Sequence, residues 1–303
     1  MKIIINADDF GIDYDRDIGI LYGVLKGYIT SVSVIVTNKV SFFRKILICI
    51  IRRKASVGLH INLTDDPLTI YKADELYKKK YNYKKPKFIF WKNALEDNIY
   101  IDKIGKEIEN QFLKFVNIYG FIPEHLDGHN HCNIFNSKIN ALFRKISCNY
   151  KIHLRIPYEK ITINDIKRLN DISFNIDIKK QNLKFKFMID NFEYFMINDV
   201  LLYDFVCEYF NYYDEITFIG SKYGYKRDPY TLYNQITDNK DKSIIQIMCH
   251  PGFYLHFLSH NTKFSNLERY DELKALKKVK KMLLKCNNVI LSNYRDWNND
   301  NIY

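Results

Sequence analysis

Short apolar runs recur along this chain, and each ends in a polar cluster. Ile3-Ile4-Ile5 runs into Asn6-Ala7-Asp8-Asp9-Phe10-Gly11, and β-branched residues dominate from Thr30 to Val36 and recur from Ser56 to Leu63. Runs of this kind, bounded by polar residues and glycine, predict buried strands. Between the first two, Ile18, Leu21, Tyr22 and Leu25 keep helical spacing over 17–26, with Gly27 as a stop, and 41–54 can form a second helix. Further on, Ile101 to Tyr119 predicts an amphipathic helix closed by Gly120. Pro123 to Asp127 predicts a short strand that delivers Gly128-His129-Asn130-His131. A helix over 137–147 precedes the run from Lys151 to Tyr158. Lys242 to Cys249 reads as a strand stopping at His250-Pro251-Gly252, with a helix over 270–286 and a strand over 289–292 behind it.

Strand, polar cluster, helix, strand is the rhythm of βα units around a parallel sheet, whose chemistry sits at the carboxyl ends of the strands. The polar clusters fall at that end. An open doubly wound sheet shares the rhythm, but residues from so many strand ends converge more readily in a barrel. The expected fold is therefore α/β, a distorted (β/α) barrel, with 1–303 as a single catalytic domain. The aromatic, basic stretch at about 64–98 reads as an excursion or lid, and about 161–240 as a divergent region. Tyr83, Phe88, Phe90 and Trp91 in the excursion would serve either as a lid or subsite or as packing against the barrel.

The 303 residues are 47% hydrophobic and 27% charged, which excludes a disordered or collagen-like chain and leaves ample core. Six cysteines (Cys49, Cys132, Cys148, Cys207, Cys249, Cys286) are scattered with no CxxC pair. That pattern disfavours a zinc ribbon or a redox motif, and free thiols in a reducing cytoplasm are expected. The longest purely aliphatic or sulfur run, Ile46 to Ile51, falls far short of the ~18 residues a spanning helix needs. Ile3-Ile4-Ile5 ends too soon for a secretory segment, so the expectation is a soluble, cytoplasmic protein with no membrane partner. Lys and Arg number 46 against 35 Asp and Glu, a formal charge of +11, densest over 77–87 where tyrosines interleave with lysines. Such a segment can bind single-stranded nucleic acid. The whole chain is rich in Lys, Asn, Ile and Tyr, however, and arginine forks are sparse there, so a solvated loop is the better reading and nucleic acid is disfavoured as a partner.

The candidate chemistry lies in the polar clusters. Adjacent residues inside a strand face opposite ways, so Asp8 and Asp9 serve one site only where the strand has ended. His125, Asp127, His129 and His131 are spaced by two and share a face if their strand persists. His60 interrupts an apolar strand and His250 ends another. Taken singly, each has a bland alternative: a helix-capping aspartate, a core histidine, a structural turn. Taken together, one carboxylate and two imidazoles make a site with open positions for water and substrate. Asp9, His60 and His129 would hold one divalent metal ion, Zn2+ or Mg2+, leaving Asp8 as a base and His250 as an acid for hydrolysis by a water activated at the metal. The same ligand set serves iron oxygenases, but those want a jelly roll of antiparallel strands rather than this alternation. Hydrolysis of another ester or a phosphoester, and a non-enzymatic basic binding module, stay open as alternatives.

Asn6-Ala-Asp-Asp-Phe-Gly11, Val57-Gly-Leu-His60, His125-Leu-Asp-Gly-His129-Asn-His131 and Met248-Cys-His-Pro-Gly-Phe253 closely resemble the motifs of the YdjC/ChbG-like carbohydrate deacetylases, in the same order. The resemblance runs from about Ile3 to Arg295 and is poor in the middle third. It implies a barrel of the polysaccharide-deacetylase-like type and removal of acetyl groups from N-acetylated sugars or oligosaccharides. It also implies metal ligands at Asp9, His60 and His129, a base at Asp8 and an acid at His250. His131 and Asp127 would support the ligands or the substrate. Arg155-Ile-Pro157-Tyr158 resembles the Arg-x-Pro-Tyr element of polysaccharide deacetylases, which implies that Arg155 holds the base and that Tyr158 stands near the substrate. Relatives imply a homodimer. The family often carries a further histidine where this chain has Asn133, a departure that bears on substrate preference.

Overall fold

The computed structural model describes residues 1–65, 90–91, 93–94, 97–157, 216–220, 228–254 and 266–300. Tyr158, Tyr83, Phe88, Cys207, the basic run over 77–87 and most of the excursion and divergent regions lie outside the described residues. Among the described residues, eight parallel strands form one sheet: β1 (Lys2–Phe10), β2 (Ser31–Val34), β3 (Ser56–Ile61), β4 (His125–Gly128), β5 (His153–Leu154), β6 (Ile216–Ile219), β7 (Ile244–Cys249) and β8 (Ile290–Ser292). Their order is β5-β4-β3-β2-β1-β7-β6. β8 pairs with Lys2–Ile4 at the start of β1, while β2 pairs with its later part from Asn6 to Phe10. The sheet curves into a half-barrel surrounded by helices: α1 (Tyr14–Leu25), α2 (Phe42–Arg52), α3 (Ile101–Tyr119), α4 (Ser137–Tyr150), α5 (Pro229–Asp238), α6 (Asn266–Leu283) and α7 (Tyr294–Asp300). The distorted (β/α) barrel expected from the alternation is therefore the fold. None of the described helices is long and apolar enough to cross a membrane, and the five described cysteines are free.

Local chemistry explains the boundaries. α3 closes on Gly120, whose φ of +75 is a left-handed cap that a side chain resists. α1 is capped by Asp13, which accepts from the Arg16 N–H. α5, absent from the sequence reading, carries an Asp228 cap and Pro229 in its first turn. β6 and α7 were likewise not anticipated.

Strands β1 to β5 are buried on both faces, but the faces differ in kind. Ile3, Ile5 and Ala7 of β1 pack outward into the main apolar core under the helices. Ile4, Asn6 and Asp8 point into the barrel, as the two-residue period requires. At the bottom, Ile4 packs with Tyr294 and Trp297 of α7. His125, Tyr294 and His153 stack at centroid distances of 4.1 and 5.0 Å, and Trp297 lies 4.0 Å from His153. Above this plug the lumen is polar.

Gly19 of α1 lies against the loop after β7: a Cβ there would be 2.5 Å from the Gly252 Cα, which is backbone and cannot swing aside. Gly105 of α3 has only ordinary contact with Leu142 at 3.4 Å. Gly19→Ala is expected to destabilise the protein by about 1–3 kcal/mol through overpacking. Gly105→Ala is expected to stabilise it by about 0.5–1 kcal/mol through helix propensity. Denaturant melts of both variants check the pair, and equal effects would contradict this packing.

Candidate active site

β1 delivers both aspartates from within the strand. Its register against β2 shifts between Ala7 and Phe10, and Asp9 adopts φ +72. The expectation that the strand ends before the pair is thus corrected: an irregularity inside β1 re-aims one side chain, which lets neighbouring residues serve one site. Asp8 Oδ2 and Asp9 Oδ1 lie 3.7 and 3.6 Å from the same atom, His60 Nε2.

The other ring nitrogen of His60 settles its tautomer. Nδ1 is 2.7 Å from Asp127 Oδ1, and an ionised carboxylate only accepts, so Nδ1 carries hydrogen. In the neutral ring Nε2 then offers a lone pair toward Asp9, the carboxylate–histidine arrangement typical of metal ligands. His129 completes the group, with Nδ1 3.0 Å from Asp9 Oδ1 and 3.3 Å from His60 Nε2. Its Nε2 faces Asp65 at 3.8 Å. The ligand atoms of Asp9, His60 and His129 all fall within 4.8 Å of one another. Asp9 Oδ1 is buried and accepts no hydrogen bond among the described residues. A buried carboxylate oxygen facing two imidazole nitrogens fits a divalent cation in both charge and donor type.

The alternation expected from His125 to His131 stops at Gly128. His129–His131 forms one turn of 3-10 helix, with Asn130 and His131 at φ +52 and +57. Trp91 pins this turn by donating from Nε1 to the Asn130 carbonyl at 2.9 Å, and it stacks on Phe135. Phe90 and Trp91 are buried, so of the two readings of the excursion aromatics these two take packing. His125 lies deep, its Nε2 2.9 Å from Ser33 Oγ, and is no part of the ligand group. His131 keeps Nδ1 buried with no hydrogen-bond partner among the described residues, and burial with the nearby Arg155 charge pushes its pKa down to about 3.

Arg155 holds Asp8 through a two-pronged bond, Nη1 to Oδ1 at 2.7 Å and Nη2 to Oδ2 at 2.6 Å. Nη2 also lies 3.0 Å from Asp127 Oδ2. Burial alone would raise both carboxyls, but Arg155 and His60 hold both below the ordinary carboxylate range. Asp9 is likewise held well down against burial by His129, Arg16 and His250. Its Oδ2 takes Arg16 Nη1 at 3.1 Å, and Arg269 Nη2 lies at 3.8 Å. His250, half-buried at the end of β7, is fixed through its backbone: its N–H donates to Glu272 at 3.1 Å, and its carbonyl accepts from Arg269 at 2.9 Å. Asn133 is fully buried and donates to the Arg155 carbonyl at 3.2 Å, so it supports the backbone that carries Arg155.

The sequence reading missed Asn6, Ser33, Arg16, Arg269 and Glu272. Asn6 and Ser33 carried a signal, polar residues on the lumen face of otherwise apolar strands. Arg16 follows its partner Asp13 by three residues on a capped helix. Arg269 and Glu272 lie in a charged helix remote in sequence from His250, and nothing there marks them.

A half-barrel of parallel strands with a carboxylate–imidazole cluster at their carboxyl ends defines a class of α/β proteins with a candidate metal centre. Within that class the chain belongs to the YdjC-like protein family, whose sequence profile matches residues 2–283. It is 24% identical over 298 residues to a carbohydrate deacetylase of Clostridium beijerinckii, covering 98% of this chain and all (100%) of the relative. It is 32% identical over 163 residues to a chitooligosaccharide deacetylase of Citrobacter koseri, covering 52% of this chain and 60% of that one. A crystal structure from Enterococcus faecalis V583, described as that of a candidate cellobiose-phosphate cleavage protein, superposes with a TM-score of 0.65 at 20% identity, covering 98% of both chains. That likeness shows the same fold.

Asp127, Asp8 and Asp9 hold the His60 ring above the usual histidine range against burial, which favours the neutral form. The proton so retained competes with a cation for Nε2. Metal binding should therefore release a proton, and affinity should fall as pH drops through that raised value. Calorimetric titration with zinc, repeated in buffers of different ionisation enthalpy, checks this. Binding without proton release and independent of pH would place the ion elsewhere.

Proposed function

We propose that this protein is a metal-dependent hydrolase that removes acetyl groups from N-acetylated sugars or oligosaccharides. The observation that carries the reading is the convergence of Asp9 Oδ1, His60 Nε2 and His129 Nδ1, with Asp8 Oδ2 beside His60 and locked by Arg155. The relatives named carbohydrate deacetylase and chitooligosaccharide deacetylase support the substrate class. A divalent ion held by Asp9, His60 and His129 would supply Lewis acidity, lowering the pKa of a water and polarising the acetamide carbonyl.

The chain's own groups divide the remaining work. Asp8, kept ionised by Arg155, accepts the proton of the attacking water. Arg155 is buried and touches the carboxylates, so it positions the base and fixes which way its oxygens point. His250 passes a proton to the departing amine. Burial, with Arg269 and Arg16 nearby, pushes its pKa down to about 4, so the ring rests neutral and relays to the amine the proton that Asp8 takes from the water. His131, neutral and with Nδ1 unpaired among the described residues, orients the substrate or a ligand.

Metal-loaded protein is expected to release acetate from N-acetylglucosamine oligomers or another N-acetyl sugar, and to release no phosphate from sugar phosphates. Asp8→Asn should keep the metal and lose about 10²–10⁴-fold in turnover, whereas His129→Ala should lose the metal. Metal analysis and an acetate assay on the three proteins decide it. Near-full activity in Asp8→Asn would refute the base assignment.

His250→Ala should cost about 10²–10⁴-fold on an unactivated N-acetyl sugar. It should cost far less on an aryl acetate, whose leaving group needs no proton. Equal losses on both substrates would remove His250 from the acid role.

A further inference from the structure

We propose that Asn6 is a positioning residue that reserves one oxygen of Asp8, Oδ2, for the proton of the attacking water. The inference rests on the deacetylase reading above and adds which atom of the base acts and what selects it. Asn6 and Asp8 share the lumen face of β1, two residues apart, and both are buried.

The hydrogen count around Asn6 is fully determined. Its Nδ2 is 2.6 Å from Asp8 Oδ1 and 2.7 Å from Ser33 Oγ, so both amide hydrogens are used. Turning the amide over would press its oxygen against an ionised carboxylate. Ser33 has one hydrogen, and the acceptor-only Asp127 Oδ2 takes it at 2.6 Å. His125 Nε2, at 2.9 Å from Ser33 Oγ, is then the donor there. Each partner in the Asn6–Ser33–Asp127 chain therefore has one possible orientation.

The consequence falls on Asp8. Oδ1 accepts two hydrogen bonds, from Asn6 Nδ2 at 2.6 Å and Arg155 Nη1 at 2.7 Å, which occupy both of its lone pairs. Among the described residues, Oδ2 accepts one, from Arg155 Nη2 at 2.6 Å. Its remaining lone pair lies on the side of His60 Nε2, 3.7 Å away, where the ligand atoms gather. Without Asn6 the two oxygens would be equivalent acceptors on Arg155, and the proton could go to the one facing away from the reaction. Arg155 fixes the plane of the carboxylate; Asn6 breaks the symmetry within it.

The test compares Asn6→Leu, which keeps close to the shape and volume while removing the donor and adding no charge, with Asn6→Ala, which removes both. The readouts are kcat, KM, zinc affinity and thermal melting. Both variants are expected to lose about 10- to 100-fold in kcat, with KM and zinc affinity within about threefold of wild type, Asn6→Leu losing at least as much as Asn6→Ala. A packing role would leave the near-isosteric Asn6→Leu close to wild type in kcat and would spread any loss over metal binding and melting. If only one variant folds, its kcat alone decides: a change within threefold overturns the proposal. Wild-type protein that binds zinc yet releases no acetate would defeat the deacetylase reading instead, an outcome distinct from an active wild type with an indifferent Asn6.

Discussion

The centre of this molecule is a guanidinium between two carboxylates. Asp8 and Asp127 are both buried within the barrel, and without a cation between them they would repel in a medium that screens poorly. Arg155 Nη2 lies 2.6 Å from one and 3.0 Å from the other, and Nη1 adds a second bond to Asp8. Removing one partner from such a buried group typically costs about 3–5 kcal/mol, because the charges left behind stay in a place water cannot reach. Arg155 therefore does two jobs with one side chain. It allows the carboxylates to stay ionised there, and it orients them, Asp8 as the proposed base and Asp127 as the support of His60.

The fold serves this contact layer by layer. α7 plugs the bottom of the lumen with Tyr294 and Trp297, and His153 just above is held well below the usual histidine range by burial and His125. That layer adds no charge beneath the cluster. Asn6, Ser33 and His125 form a polar middle layer whose hydrogen bonds end on Asp8 and Asp127. The irregularity in β1 then swings Asp9 toward His60 and His129 on the outer side, where Arg16 takes its second oxygen. The loop after β7 is fastened from α6 by Arg269 and Glu272, which places His250 without using its ring. The candidate ligand group and the proposed base thus rest on separate supports that meet at His60.

Much of this was legible in the chain because strands and their ends write strong signals. The isoleucines of β1, the β-branched run of β2 and the amphipathic helix to Gly120 specify βα units; Asp9 and His129 stood out as polar residues at strand ends, and His60 as one interrupting an apolar strand. Other features could not be read. A one-residue irregularity leaves no mark in Ala-Asp-Asp-Phe, so the pair was assigned past a strand end that the structure puts later. The two-residue spacing of His125 to His131 suggested a continuous face, but the left-handed backbone at Asn130 and His131 ends it. The supports from α6 are invisible because a hydrogen bond from Arg269 to a carbonyl of residue 250 depends on tertiary packing, and a charged helix looks solvated in sequence. Asn6 was passed over because a polar residue between isoleucines and aspartates is overshadowed by its neighbours.

The central claim, that a cation binds where three donors from β1, β3 and the turn after β4 converge, is most directly tested by anomalous diffraction from crystals soaked in zinc, collected on either side of the zinc absorption edge. The account predicts a single strong peak at about 2 Å from Asp9 Oδ1, His60 Nε2 and His129 Nδ1 together. A peak bound by other residues, or none at these atoms in crystals that take up zinc elsewhere, would contradict it.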